Sequence, residues 1–151
     1  MKKEYFIVGL FIAYLILLIK VIAFKYPSSM VFDVADGNYV PFKTIVSYLM
    51  GQPTWTVAIY NIGGNIVSFI PLGFFVPILY KQRSSLKHVF IFAFSLSFAI
   101  ECMQVLLSAG IFDVDDIILN ILGAVVGYVF VLIFHVHMYT AIHSIGLGSK
   151  D

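Results

Sequence analysis

Charged residues are scarce in this chain. Lys, Arg, Asp and Glu make up 11% of its 151 residues, and hydrophobic residues make up 61%. A soluble domain of this length needs about a quarter charged residues to cover its surface. Water is therefore excluded as the main solvent, and a mean hydropathy of +1.00 points to lipid instead. The formal net charge is +1 and no basic run is long enough to track phosphates, which argues against a nucleic-acid partner. Cysteine is nearly absent. The single Cys102 excludes an intrachain disulfide and a thiolate metal cluster, and leaves the redox compartment open. No Ser-His-Asp set, phosphate-cradling loop, internal repeat or low-complexity tract occurs. Apart from His88, the histidines (His135, His137 and His143) lie in the C-terminal tail. His135 and His137 are two apart and so fall on different faces of a helix, which suits a polar membrane boundary better than a metal site.

What the chain does have is long apolar runs. Four are long enough to cross a bilayer, which takes roughly 20 mostly apolar residues. They run about Tyr5–Phe24, Ile59–Tyr80, Leu86–Ser108 and Ile117–Phe134, and predict one all-α membrane domain over residues 1–151. The first reads as a retained helix. Lys20 interrupts the approach to Val21-Ile22-Ala23, the one tolerable signal-cleavage site, and the apolar run is long for a signal sequence. Lys2, Lys3, Lys81, Arg83, Lys87 and Lys150 share one side of a four-crossing topology, against Lys25 and Lys43 on the other. The positive-inside rule then places both termini in the cytoplasm.

The outer loop, about Lys25–Ala58, opens with turn chemistry at Tyr26-Pro27-Ser28-Ser29 and Asp36-Gly37-Asn38. In the stretch that follows, Phe42, Ile45, Val46 and Leu49 recur at helical spacing, which predicts a short interfacial helix with Tyr48 and Trp55 at the membrane boundary.

The polar residues inside the spans collect at one depth. Glu101 lies about seven residues from the outer end of the third span, roughly 10 Å deep at the helical rise. Gln104 follows at i+3 on the same face. Asn61 and Asn65 are i,i+4 neighbours in the outer turns of the second span, and Asp116 and Asn120 are i,i+4 neighbours at the outer start of the fourth. Scattered polar substitutions would not favour one depth on three helices, so these residues predict a polar pocket in the outer leaflet. A lone carboxylate at a helix centre costs about 2.5–3.5 kcal/mol on insertion scales, which makes Glu101 a functional candidate. The competing account is a structural clamp, with Glu101 hydrogen-bonded to Asn65.

Other features read as packing. Gly63-Gly64 leaves room for close approach, and Pro71 predicts a kink by freeing the carbonyl of Val67. Gly123 and Gly127 form a GxxxG spacing, which points first to packing within the chain and leaves contact between copies as the alternative. In "DVDD", residues 113–116, three carboxylates admit a Ca²⁺ or Mg²⁺ reading. Helix capping by Asp113 or Asp115 competes with it and accounts for at least one acid. No metal site is assigned, and nothing in the sequence names a cofactor.

Four ordered motifs carry a resemblance: "NYVPFKTI" (38–45), "NIGGNIVSFIPLGFFVP" (61–77), "ECMQ" (101–104) and "FDVDDIILNILGAVVGY" (112–128). Together they resemble the VanZ-like family of small bacterial membrane proteins. The resemblance implies a polytopic helical protein, linked in some members to reduced susceptibility to teicoplanin and related lipoglycopeptides. The family pattern falls on Pro41, Phe42, Asn61, Asn65, Pro71, Gly73, Glu101, Gln104, Asp113, Asp116, Asn120 and Gly123. One departure stands out. Many members carry a basic residue just before the acidic run, where this chain has Ser108-Ala109-Gly110-Ile111-Phe112.

Two classes of function follow. In the first, Asn61, Asn65, Gln104, Asp113 and Asn120, roofed by Pro41 and Phe42, bind a membrane lipid or lipid-linked envelope precursor. In the second, Glu101 and Asp116 form an intramembrane acid–base pair acting on a lipid headgroup or lipid-linked sugar. Proton-coupled transport is a weaker third.

Overall fold

A computed structural model describes residues 2–23, 36–80 and 85–144, with side chains placed for 5–21, 36–80 and 85–134. Lys25, Lys81, Arg83 and Lys150, on which the orientation argument leans, lie outside the described residues, as do the side chains of Lys2, Lys3, His135, His137 and His143. The described residues form five helices and no strand: α1 Lys2–Ala23, α2 Lys43–Leu49, α3 Trp55–Tyr80, α4 Leu86–Leu106 and α5 Val114–Ser144. Three segments are long and apolar enough to cross a membrane: α3, α4 and Val114–Phe134 of α5. At the helical rise, 21 residues span about 32 Å, the thickness of a hydrocarbon core. The first predicted span holds a shorter apolar segment, Tyr5–Val21.

Local chemistry sets the helix ends. Thr54 begins α3, its Oγ1 accepting the Val57 N–H at 3.2 Å. At the C-terminus of α4, Ser108 takes a left-handed φ of 48°. There Ser108 N donates to Val105 O and Ala109 N to Gln104 O, the two bonds of a Schellman ending. The chain turns sharply as a result and brings Asp113 back beside α4. Helix α3 is helical throughout Trp55–Tyr80, with Pro71 and Pro77 inside it.

The helix pair α3–α5 forms the centre, and glycine lets the two backbones touch. A Cβ on Gly73 would sit 1.8 Å from Ala124 O, and one on Gly127 would sit 2.0 Å from Ile70 O. Gly123 meets Ile66 O in the same way. The GxxxG positions therefore pack against α3 of the same chain. Gly63 and Gly64 have nothing within 4 Å of an added Cβ, so no neighbour among the described residues uses the gap they leave.

Phe69, Leu72, Val76, Val89, Ala93, Ile100 and Ala124 fill the core between α3, α4 and α5. Helix α1 adds Leu18, and Tyr14 donates its hydroxyl to Ser68 O at 2.8 Å. Most of α1 stays exposed, with Tyr5, Phe6, Ile16 and Leu17 all above half exposure. Apolar side chains facing outward around a small core are what a lipid-solvated bundle requires.

Candidate functional site

At the end of this bundle where α4 finishes and α5 begins, nine polar residues are buried: Asn38, Asn65, Ser97, Glu101, Gln104, Asp113, Asp115, Asp116 and Asn120. Burying polar groups is tolerable only if they are hydrogen-bonded, and their partners define the site. The segment before α2 lies against the loop before α5 as an isolated parallel bridge, Asn38 with Asp113. Asn38 N donates to Phe112 O at 2.7 Å, and Val114 N donates to Asn38 O at 3.0 Å. From there Asn38 Nδ2 reaches Asp113 Oδ1 at 2.8 Å and Thr44 Oγ1 at 2.9 Å.

The three aspartates of the acidic run turn to three different partners. Asp113 caps α5, its Oδ1 accepting the Asp115 N–H at 2.8 Å. Asp115 caps a different helix. Its carboxylate accepts Phe42 N at 2.5 Å, Thr44 N at 2.7 Å and Ile45 N at 3.0 Å, the open amides at the start of α2. Phe42 itself has a left-handed φ of 68° and no side chain able to cap. Asp116 faces the bundle, where Asn65 Nδ2 donates to its Oδ1 at 2.5 Å. No three His, Cys, Asp or Glu side chains among the described residues converge as a metal site.

Glu101 is 2% exposed and accepts the Asp113 N–H at 2.9 Å. It therefore ties α4 to the capping residue of α5. One turn further down, Asn120 Nδ2 donates to Ser97 Oγ at 2.8 Å. Burial pushes the Asp113 carboxyl above its ordinary range. Hydrogen bonds from Asn38, Thr44 and the Asp115 backbone pull the other way, and the nearby Asp116 adds to the rise.

The predicted site residues separate into two groups. Asn65, Glu101, Gln104, Asp113, Asp116 and Asn120 are all buried; Asn65 bonds Asp116, Glu101 bonds the Asp113 N–H and Asn120 bonds Ser97, while Gln104 lies against the crevice between α1 and α4. Asn61 does not join them, because its Nδ2 donates to Val57 O of its own helix at 2.9 Å. Pro41 and Phe42 are exposed, and Phe42 meets the network through its backbone N–H rather than its ring. The sequence reading omitted Asn38, Thr44, Ser97 and Asp115 from its site. Asn38 is 75 residues from Asp113, and no local periodicity reveals that pairing.

The polar network is backed by an apolar groove. A cavity of about 320 Å³ is lined by Tyr39, Cys102, Val105, Leu106 and Phe112. Four of these five are chain neighbours of network residues: Tyr39 of Asn38, Cys102 of Glu101, Val105 of Gln104 and Phe112 of Asp113. Tyr39 and Phe112 stack with ring centroids 5.4 Å apart and make one wall. Gln104 also lines a smaller crevice between α1 and α4, with Ile19, Ile100, Met103, Leu107 and Ala109.

Comparison with curated proteins finds no match, and comparison with solved structures finds none either. The family model described as VanZ/LLP1 matches residues 11–135, a span that includes every residue of the network and of the groove. By that match over most of its length, the chain belongs to the VanZ/LLP1 family.

Proposed function

We propose that this protein is a multi-pass protein of the bacterial cell membrane that engages a lipid-anchored envelope ligand at the α4–α5 end of its bundle. In this reading the chain crosses the bilayer four times with both termini in the cytoplasm, and α2 lies in the outer interface. The groove of Tyr39, Cys102, Val105, Leu106 and Phe112 takes an acyl or polyprenyl chain, and the polar network behind it recognises the headgroup. The observation that supports this most directly is an apolar groove at the same end of the bundle as the buried polar cluster. A volume of about 320 Å³ is within the usual range of ligand sites. By occupying a membrane-anchored envelope component, the protein would lower susceptibility to teicoplanin and related lipoglycopeptides.

Cys102, the only cysteine, reports on the groove. Protein purified from bacterial membranes should retain lipid detectable by mass spectrometry, and Cys102 should react slowly with a lipid-soluble maleimide until that lipid is stripped. Equal labelling rates before and after delipidation would overturn the groove reading. Labelling of the 81–85 turn from outside intact cells would overturn the orientation. In a susceptible host, expression should raise the teicoplanin concentration needed to stop growth.

A further inference from the structure

Helix α2 is amphipathic in the reverse of the sense that a water-soluble protein needs. Val46, Leu49 and Met50 fall on one face by their i, i+3, i+4 spacing, and Phe42 stands one turn before them. All four are at least half exposed, Met50 the most at 73%. Thr44 and Ile45 are less exposed, and Asp115 holds their backbone N–H groups to the bundle. The helix therefore docks through backbone amides and turns its apolar stripe away from the protein. Phe42 takes part from a left-handed φ of 68°, a conformation that disfavours a bulky side chain.

The neighbouring helix shows what medium meets this stripe. Leu49 lies six residues before Trp55, where the membrane-length helix α3 begins. The Trp55 indole folds back over the turn between them, since a Cβ on Gly51 would sit 2.7 Å from its ring. Trp55 is 62% exposed, and tryptophan at the start of a spanning helix marks the bilayer boundary. The exposed stripe of α2 thus continues the exposed surface of α3 at Ile59 and Tyr60. Lys43 is the only charged residue between Gly37 and Tyr80. It is exposed beside the stripe, as suits a lysine whose stem lies along an apolar face while its ammonium reaches the lipid phosphates.

Resting on the placement of α2 in the interface given above, we infer that Phe42, Val46, Leu49 and Met50 insert among the acyl chains as a wedge that sets the depth of the groove. An interfacial helix buries its apolar face about 5–10 Å into the boundary between headgroups and chains. Tyr39 lies three residues before Phe42, so at most about 11 Å of extended chain separates them. Backbone bonds pin Asn38 to Phe112 and Val114, and the Tyr39 ring stacks on Phe112. The wall that these two rings make therefore stands at the level of the wedge. A lipid in the groove meets it at the junction of chain and headgroup.

The experiment measures spin-label accessibility on the full-length protein in phosphatidylcholine nanodiscs, with oxygen as the apolar quencher and a nickel chelate as the aqueous one. Labels go singly on Val46→Cys and Leu49→Cys in a Cys102→Ala background, and on the native Cys102. Labels at positions 46 and 49 should favour oxygen and read about 5–10 Å below the phosphates. The Cys102 label should lie within about two helical turns of them in depth, ~11 Å. Protection of the Thr44 and Ile45 amides against exchange checks that α2 stays docked, and Met50→Cys replaces either variant that loses it. Greater access to the nickel chelate at positions 46 and 49 overturns the wedge. Low access to both quenchers also overturns it, because a second protein surface then covers the stripe. A Cys102 label deeper than two turns overturns the tie between wedge and groove. None of these outcomes depends on whether the groove holds lipid, which the labelling rates of Cys102 before and after delipidation decide separately.

Discussion

Asp115 holds α2 in place, and the consequence of removing it can be worked from distances. Its buried carboxylate accepts three backbone amides of residues 42, 44 and 45 at 2.5–3.0 Å. A seven-residue helix is not stable in water by itself, so α2 exists because it is docked. Each hydrogen bond to a charged group contributes about 1.5–3 kcal/mol, but α2 lies at the surface and water replaces much of what is lost. The net penalty for Asp115→Ala is then about 2–3 kcal/mol, at or above the upper end of single-bond capping losses because three amides lose their acceptor. At 1.4 kcal/mol per factor of ten, the amides of Thr44 and Ile45 should exchange with deuterium roughly 30- to 150-fold faster. Asp115→Asn keeps one acceptor oxygen and should fall between the two. Amides in the first turns of α5 should change far less, because Asp113 caps that helix. Unchanged exchange at Thr44 and Ile45, or equal acceleration throughout α5, would refute the assignment of Asp115 to α2.

Glycine substitutions should divide by position. Gly73→Ala and Gly127→Ala drive a Cβ into a backbone carbonyl and should lower thermal stability by several degrees, whereas Gly64→Ala, with open space around it, should be neutral or slightly stabilising. Glu101→Gln retains an acceptor for the Asp113 N–H, and Glu101→Leu does not. If Glu101 only clamps, the Gln variant should keep full lipoglycopeptide protection. If its charge recognises the ligand, both variants should lose protection at normal membrane levels. Asp113 is harder to ionise in the folded protein than in the unfolded chain. Its contribution is therefore complete below the ordinary aspartate pKa and declines as pH rises through the higher folded value. Asp113→Asn, which stays neutral and keeps an acceptor oxygen, should make stability less dependent on pH in that window, as a denaturation series at stepped pH would show.

Helix positions were legible in the sequence because membrane helices announce themselves by unbroken apolar length. The predicted Leu86–Ser108 and the observed Leu86–Leu106 differ only where the Schellman ending begins. Asn65, Glu101, Gln104, Asp116 and Asn120 stand out in the sequence for the same reason, as polar breaks in apolar runs, and all five are buried. What the sequence concealed was which donor meets which acceptor. Asn61 and Asn65 look equivalent at i,i+4, yet Asn61 satisfies itself on Val57 O while Asn65 reaches Asp116. Likewise Asp113, Asp115 and Asp116 read as one acidic run, and only the turn after α4 and the return of the 38–45 segment assign each a separate task. The pairings of Asn65 with Asp116 and of Asp115 with the start of α2 join residues more than 50 apart, which periodicity does not encode.

The missing basic residue before the acidic run gains a physical account from these contacts. In this chain the 38–45 segment supplies donors there instead: the Asn38 amide to Asp113, and the Phe42, Thr44 and Ile45 N–H groups to Asp115. Backbone amides cannot be protonated or displaced as a lysine can, and they fix the loop to α5 in one register. Unlike a lysine, they bring no net positive charge. The loop is thus rigid and satisfied around Asp115, where α2 covers the end of the bundle. Introducing the absent charge tests whether the amides hold the loop without it. Phe112 lines the groove beside Asp113, and Ile111, the half-buried residue before it, is the nearest position at which to place one. An Ile111→Lys variant should leave exchange at Thr44 and Ile45 within a factor of a few of the parent protein. Acceleration there as large as in Asp115→Ala would mean that the amides of residues 42, 44 and 45 do not hold the loop on their own.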